Sequence, residues 1–281
     1  MRPRFAAALL TLAVVLLAAA PAGATPVRPD AGTSALWAWS WQGADDLATF
    51  ASARGFDRVY LFAEGGFTPK VRDAITALAA DGIAVEALGG ETRWATSQRD
   101  GMLDFIRSAR RYQRAARTGA KLAGIHLDVE PHALPAWDQH ESRVARSLLA
   151  SLTAARRAAG PLPLAADMPF WFDGIRLGRG PSLAERMIGT TDAITLMAYR
   201  DEGDAITDVA RREITLAGRL GRPLTVGVET GDVRPDQVTF HEEGATALAA
   251  ALDAVGELFG SRRGYGGTAI HSYASLLELG G

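Results

Sequence analysis

A single rhythm constrains this chain more than any other feature. From about residue 35 to the C-terminus, short β-rich apolar runs alternate with longer Ala/Leu/Arg runs of helical period. The strand candidates are "ALWAWSW" (35–41), "RVYLFAE" (58–64), "IAVEALG" (83–89), "AGIHLDVE" (123–130), "PLAADMP" (163–169), "AITLMAY" (193–199), "LTVGVET" (224–230) and "GTAIHSY" (267–273). Amphipathic stretches lie between them, such as 46–55, 70–82 and 143–160, and several end at glycine. About eight β-α repeats in roughly 250 residues match the count and size of a (β/α)8 barrel. A doubly wound sheet would carry a Gly-rich phosphate loop after an early strand, and none follows 35–41 or 58–64. The fold class expected is therefore α/β, a single (β/α)8 TIM-type barrel over 35–281.

Residues 1–24 read as a signal peptide. Arg2 and Arg4 precede an apolar run from Phe5 to Ala20, and Ala22-Gly23-Ala24 offers a small-residue cleavage site. Pro21 and Gly23 cut the run short of a membrane span. Residues 25–34 form a linker. The expectation is a secreted protein, periplasmic or extracellular, free of the membrane after cleavage. Of its 30 basic residues only Lys70 and Lys121 are lysines, which points to a GC-rich bacterial genome. With no cysteine there is neither disulfide framework nor thiolate chemistry, so the core alone must hold the fold. At 48% hydrophobic residues it is large enough to do so. A net charge of −2 gives no electrostatic footprint for nucleic acid, and a monomer is expected.

Barrels of this class work at the C-terminal ends of their strands. Those ends carry Trp39, Trp41, Glu64, Glu91, Asp128, Glu130, Asp167, Tyr199, Glu229, His271 and Tyr273. Nothing comparable stands at the strand beginnings. Trp37, Trp39 and Trp41 alternate, so all three should face one side; Trp37 reads as core. Trp41, together with Trp137 and Trp171 just after strand ends, offers flat platforms for a ligand.

Within "GIHLDVEPH" (124–132) the apolar positions Ile125, Leu127 and Val129 alternate with His126, Asp128 and Glu130. On a continuous strand Asp128 and Glu130 share a face, with Cα atoms about 6.5–7 Å apart. Two carboxyls that close in a partly dry mouth cannot both ionise easily, so one stays protonated and can act as a general acid. Alternatively the pair only caps loops, or pairs with Arg93 or Arg200. A third reading takes His126, Asp128, Glu130 and His132 as a metal-ligand row, although Pro131 should end the strand before His132. The first strand has "WAWSW" in place of a metal-binding H-x-H, and no metal or other cofactor is expected.

These residues resemble glycoside hydrolase family 18, the chitinases and endo-N-acetylglucosaminidases. The fourth strand of that family carries D-x-x-D-x-D-x-E, of which Asp128 and Glu130 are present here, while Ala123 and His126 replace the first two aspartates. "MAYRD" is similar to the family's sixth-strand M-x-Y-D, with Arg200 inserted before Asp201. "LGG" (88–90) and "ADMP" (166–169) resemble its third and fifth strands. The resemblance implies a carbohydrate substrate, with Glu130 as proton donor to the glycosidic oxygen. It also implies that Asp128 orients a substrate N-acetyl group acting as nucleophile, and that Tyr199 donates a hydrogen bond to that group. The family's eighth-strand tryptophan floor is absent, so His271 or Tyr273 would have to serve. A second glycosidase reading pairs Glu130 with Glu229 as acid/base and nucleophile of a retaining clan A enzyme. A metal-assisted hydrolase and a non-catalytic carbohydrate-binding barrel complete the alternatives.

Overall fold

The computed structural model describes residues 32–279. The expected signal peptide and most of the linker lie outside the described residues. Eight strands, β1 (Ser34–Ala38), β2 (Arg58–Phe62), β3 (Ala84–Gly89), β4 (Gly124–Leu127), β5 (Leu164–Pro169), β6 (Ala193–Met197), β7 (Leu224–Glu229) and β8 (Tyr265–His271), close in sequence order into a barrel. All neighbours pair parallel, β8 with β1 included. The helices are α1 (Ala44–Ala53), α2 (Pro69–Ala80), α3 (Arg99–Ala115), α4 (Trp137–Ala159), α5 (Leu183–Thr190), α6 (Gly203–Leu220), α7 (Gly244–Phe259) and α8 (Tyr273–Leu279). The (β/α)8 barrel expected from the rhythm is the fold observed.

Local chemistry explains the punctuation. Thr68 caps α2 through a hydrogen bond from Val71 N, with Pro69 opening the helix. Ser182 caps α5 through Glu185 N at 3.2 Å. Gly221 ends α6 in the left-handed conformation, φ 67°, that a Cβ disfavours.

Alternation along the strands separates two layers. Ile125 and Leu127 of β4 join the large apolar layer between barrel and helices, where Leu61, Val85, Ile106 and Leu148 also pack. The opposite face of each strand fills the barrel interior. Trp37, Tyr60, Leu88 and Ala269 form a small apolar cluster there. Trp37 fits because Gly227 faces it; a Cβ at that glycine would stand 2.8 Å from the indole.

Six strands end sooner than their patterns suggest, and for three of them the difference moves a candidate site residue. β1 stops at Ala38, β4 at Leu127 and β8 at His271. Asp128 and Glu130 therefore sit on the segment leaving β4 rather than on one continuous strand face, and Glu130 has a non-strand backbone (φ −99°, ψ 83°). Trp41 lies beyond the turn after β1 and packs in the outer apolar layer beneath Lys70, so it does not share a face with Trp37 and Trp39.

Candidate active site

A row of alternating charges runs up the barrel interior from its N-terminal end. Arg58 donates to Glu86 Oε1 at 2.5 Å. Glu86 Oε2 faces His126 Nδ1 at 2.9 Å, and His126 Nε2 faces Asp167 Oδ1 at 2.8 Å. Trp37 Nε1 donates to Asp167 Oδ2 at 3.2 Å. Register makes this column possible: Glu86 of β3 stands level with Gly124 of β4, which has no side chain to compete for the space.

Burial alone would strip the proton from His126. The adjacent Asp167 and Glu86 outweigh that and push its pKa up to about 10. For Glu86 burial opposes the charge, but His126 and Arg58 hold its carboxyl below the ordinary range. With a carboxylate at each ring nitrogen, His126 is a buried imidazolium that donates on both sides, and no lone pair remains for a metal. Among the described residues no cluster of His, Asp and Glu forms a metal site.

Above this column lies the mouth. Asp128 follows His126 by two residues; the pairing of Leu127 with Ala166 brings it level with Asp167 on β5. Its carboxyl hydrogen-bonds Asp167, and burial, then the charges of Asp167 and Glu130, raise its pKa well above the ordinary range. Gly90, just past β3, allows this approach, since any Cβ there would collide with the Asp128 carbonyl. Glu130 is half-buried, and burial followed by the charge of Asp167 raises its pKa too. Tyr199 is ringed by carboxyls: burial, then Glu229, Asp128, Asp167 and Glu130, keep its phenol protonated as a hydrogen-bond donor.

Glu229 and His271 face this group from the opposite wall. Glu229 Oε1 accepts from Thr230 N and Gly231 N at 2.9 and 2.7 Å. Trp39 Nε1 donates to His271 Nε2 at 2.9 Å, so the His271 proton resides on Nδ1. That nitrogen lies 2.8 Å from Glu229 Oε2, although the angle falls short of a hydrogen bond. The residues brought together are thus Asp128, Glu130, Asp167, Tyr199, Glu229, His271 and Trp39.

Others named from the sequence fall elsewhere. Glu64 accepts from Gly90 N at 3.1 Å and braces the loop after β3. Glu91 pairs with Arg93 at 3.2 Å on the rim. Arg200 lies over Phe170 and donates to the Tyr199 carbonyl, so neither arginine neutralises Asp128 or Glu130. Tyr273 is turned outward against Phe50, ring centroids 4.9 Å apart, because α8 begins where a longer β8 would have kept it inward. Trp137 is buried and stacks on Phe172, whereas Trp171 is 37% exposed beside it.

One participant was not evident from sequence, and another was named there only in the metal-ligand row. Glu86 was visible only as one charge in an apolar strand. His132, expected to lie off the strand, brings Nε2 to 3.7 Å from Glu130 Oε2 and sets its ring 5.4 Å from that of Trp171. Burial lowers its pKa, favouring the neutral ring.

No protein-family model matches the chain, and neither does any curated protein. Solved structures do. A chitinase from Chromobacterium violaceum superposes with a TM-score of 0.56 at 13% identity, covering 88% of this chain and 98% of that one. A GH18 chitinase from Pseudoalteromonas aurantia gives 0.59 at 13% identity, covering 87% and 95%. The spore cortex-lytic enzyme SleL of Bacillus megaterium gives 0.56 at 11% identity, covering 86% and 70%. An L-Ala-D/L-Glu epimerase from Bacillus subtilis also matches, at 0.50 and 12% identity, so the likeness speaks for fold and not for chemistry. In fold, the chain is a (β/α)8 barrel similar to those of family 18 chitinases.

Proposed function

We propose that the chain is an exported glycosidase that cleaves a glycosidic bond beside a 2-acetamido sugar, with Glu130 as general acid. The observation that carries this reading is the pairing of two carboxyls with raised pKa, Asp128 and Glu130, just past β4, with the protonated Tyr199 phenol near both. The family 18 type fold supports it, and the Arg-led apolar run at the N-terminus supports export.

The chemistry follows from these groups. Glu130 gives its proton to the leaving glycosidic oxygen as the bond to the anomeric carbon breaks. The substrate's own acetamido oxygen bonds that carbon from the opposite face, the substrate-assisted route. Tyr199 and Asp128 orient the acetamido group. Water then attacks the anomeric carbon, its proton returns to Glu130, and the acetamido group is released. His132 and the exposed Trp171 extend the site next to Glu130, where Trp171 can hold a neighbouring sugar by its flat face.

Glu229 as nucleophile of a retaining pair is the rival. Its Oε1 already accepts two backbone amides and its Oε2 faces His271, which suits a brace better than a nucleophile.

The test uses purified mature protein and fluorogenic glycosides with and without a 2-acetamido group. Turnover restricted to 2-acetamido substrates, falling about 10²–10⁴-fold in kcat in Glu130→Gln, is expected. Turnover of plain glycosides would transfer the role to Glu130 with Glu229, and loss only on chelation would point to a metal. Sugar binding without turnover in the unmodified protein would make it a binding barrel.

A further inference from the structure

We propose that Asp167, clamped by His126 and Trp37, is the positioning residue that fixes the proton of Asp128, and that Glu86 and Arg58 serve it by balancing the charge of His126. The inference rests on the reading of Asp128 and Glu130 as the working carboxyls.

Hydrogen-bond direction leads to it. Asp167 accepts from Trp37 Nε1 on Oδ2 and faces the His126 imidazolium on Oδ1, so both oxygens meet donors. A carboxylate that accepts on both sides can join the level carboxyl of Asp128 only if Asp128 supplies the proton. Asp128 Oδ1 is buried and meets no hydrogen-bond donor of the protein. The proton of Asp128 is therefore tied to Asp167.

Charge balance accounts for the rest. A carboxylate at Asp167, next to two further acids and away from water, needs a counter-charge. His126 supplies it from β4, and Glu86 and Arg58 complete the alternation down to the barrel floor, where Arg58 reaches solvent. In family 18 the residue at position 126 is an acid. Here it is a cation, so the acid that partners Asp128 is drawn from the neighbouring strand.

The experiment is a carboxyl-carbon NMR titration of the mature chain carrying ¹³C at the aspartate carboxyl, with the Asp128 signal assigned by its loss in Asp128→Asn. In the unmodified protein Asp128 should remain protonated at neutral pH. In Asp167→Asn its titration should move down by about one pH unit or more, because a like charge has gone. Trp37→Phe, which removes one donor from Asp167 and so loosens the clamp that holds it against Asp128, should move it the same way by less, and serves if Asp167→Asn fails to fold. With a 2-acetamido substrate, Asp167→Asn should lower kcat about 10²-fold with KM nearly unchanged. An Asp128 titration unmoved in a folded variant overturns the proposal, even if Glu130→Gln abolishes turnover. A shifted titration in a protein that turns over no glycoside sustains the Asp128–Asp167 pairing and removes the glycosidase reading instead.

Discussion

Trp171 and Trp137 touch one another, ring centroids 5.9 Å apart, yet truncating them should have different consequences. Trp171 is 37% exposed beside His132 and Glu130, so Trp171→Ala should weaken oligosaccharide binding by about 1–2 kcal/mol, roughly tenfold, with little change in melting temperature. Trp137 is 7% exposed and stacked on Phe172, so Trp137→Ala should cost about 3–5 kcal/mol of stability. Calorimetric titration with a chito-oligosaccharide and a thermal melt of each variant measure both; a Trp171→Ala protein that binds normally would remove it from the site. At this scale the sequence was informative about which side chains face the mouth. Period-2 alternation assigns His126, Asp128 and Asp167 inward without any knowledge of partners. It could not pair them, because His126 could reach Glu86 and Asp167 only through the offsets between β3, β4 and β5, which no single strand encodes.

Element ends were the least legible part. "ALWAWSW" and "GTAIHSY" continue their alternation past the residues where pairing stops, so Trp41 and Tyr273 read as mouth residues although both pack outward. Alternation is a property of side chains, whereas a strand ends where its neighbour ceases to offer hydrogen bonds. One helix also carries a charge that its pattern leaves unexplained. Glu213 of α6 is 1% exposed, its Oε1 has no hydrogen-bond partner, and burial pushes its pKa up to about 7 despite the nearby Arg212. Such a carboxyl costs less while protonated than when charged. Stability should fall as pH rises from the unfolded value near 4.5 through about 7, and stay lower above it. Glu213→Gln should therefore stabilise the protein above pH 7 by on the order of 1–2 kcal/mol, allowing for solvent screening, and leave it unchanged near pH 4. Urea unfolding at both pH values checks this, and equal effects at the two would show that the Glu213 charge plays no part.

For the whole molecule, the interior column sets the pH range of the fold. His126 titrates at about 10, above its ordinary 6.5, so its contribution is complete below pH 6.5 and disappears as pH rises through about 10. The pKa of Glu86 is lowered, so its contribution holds above its ordinary 4.5 and disappears as pH falls through the lowered value. The two overlap in a plateau between about pH 4.5 and 6.5. His126→Gln should abolish the alkaline decline and cost about 3–5 kcal/mol on the plateau, since two buried carboxylates lose their shared cation. Unfolding curves from pH 5 to 10 would show it; an unchanged alkaline limb would place that decline elsewhere. The barrel itself was the most legible feature, because eight repeats of one β-α unit leave few ways to close a sheet. Among the described residues no helix is long and apolar enough to cross a membrane.

The column also bears on how such a barrel can change over generations. Each member answers the charge of the next, so no single replacement in it is neutral: exchanging His126 for an acid would set three carboxylates in contact, and losing Glu86 would leave Arg58 and His126 facing each other. Passing from this row to any other set of charges would take changes at several positions almost together, or a weakened barrel in between. The third, fourth and fifth strands are thus a single hereditary unit, although more than thirty residues separate each from the next.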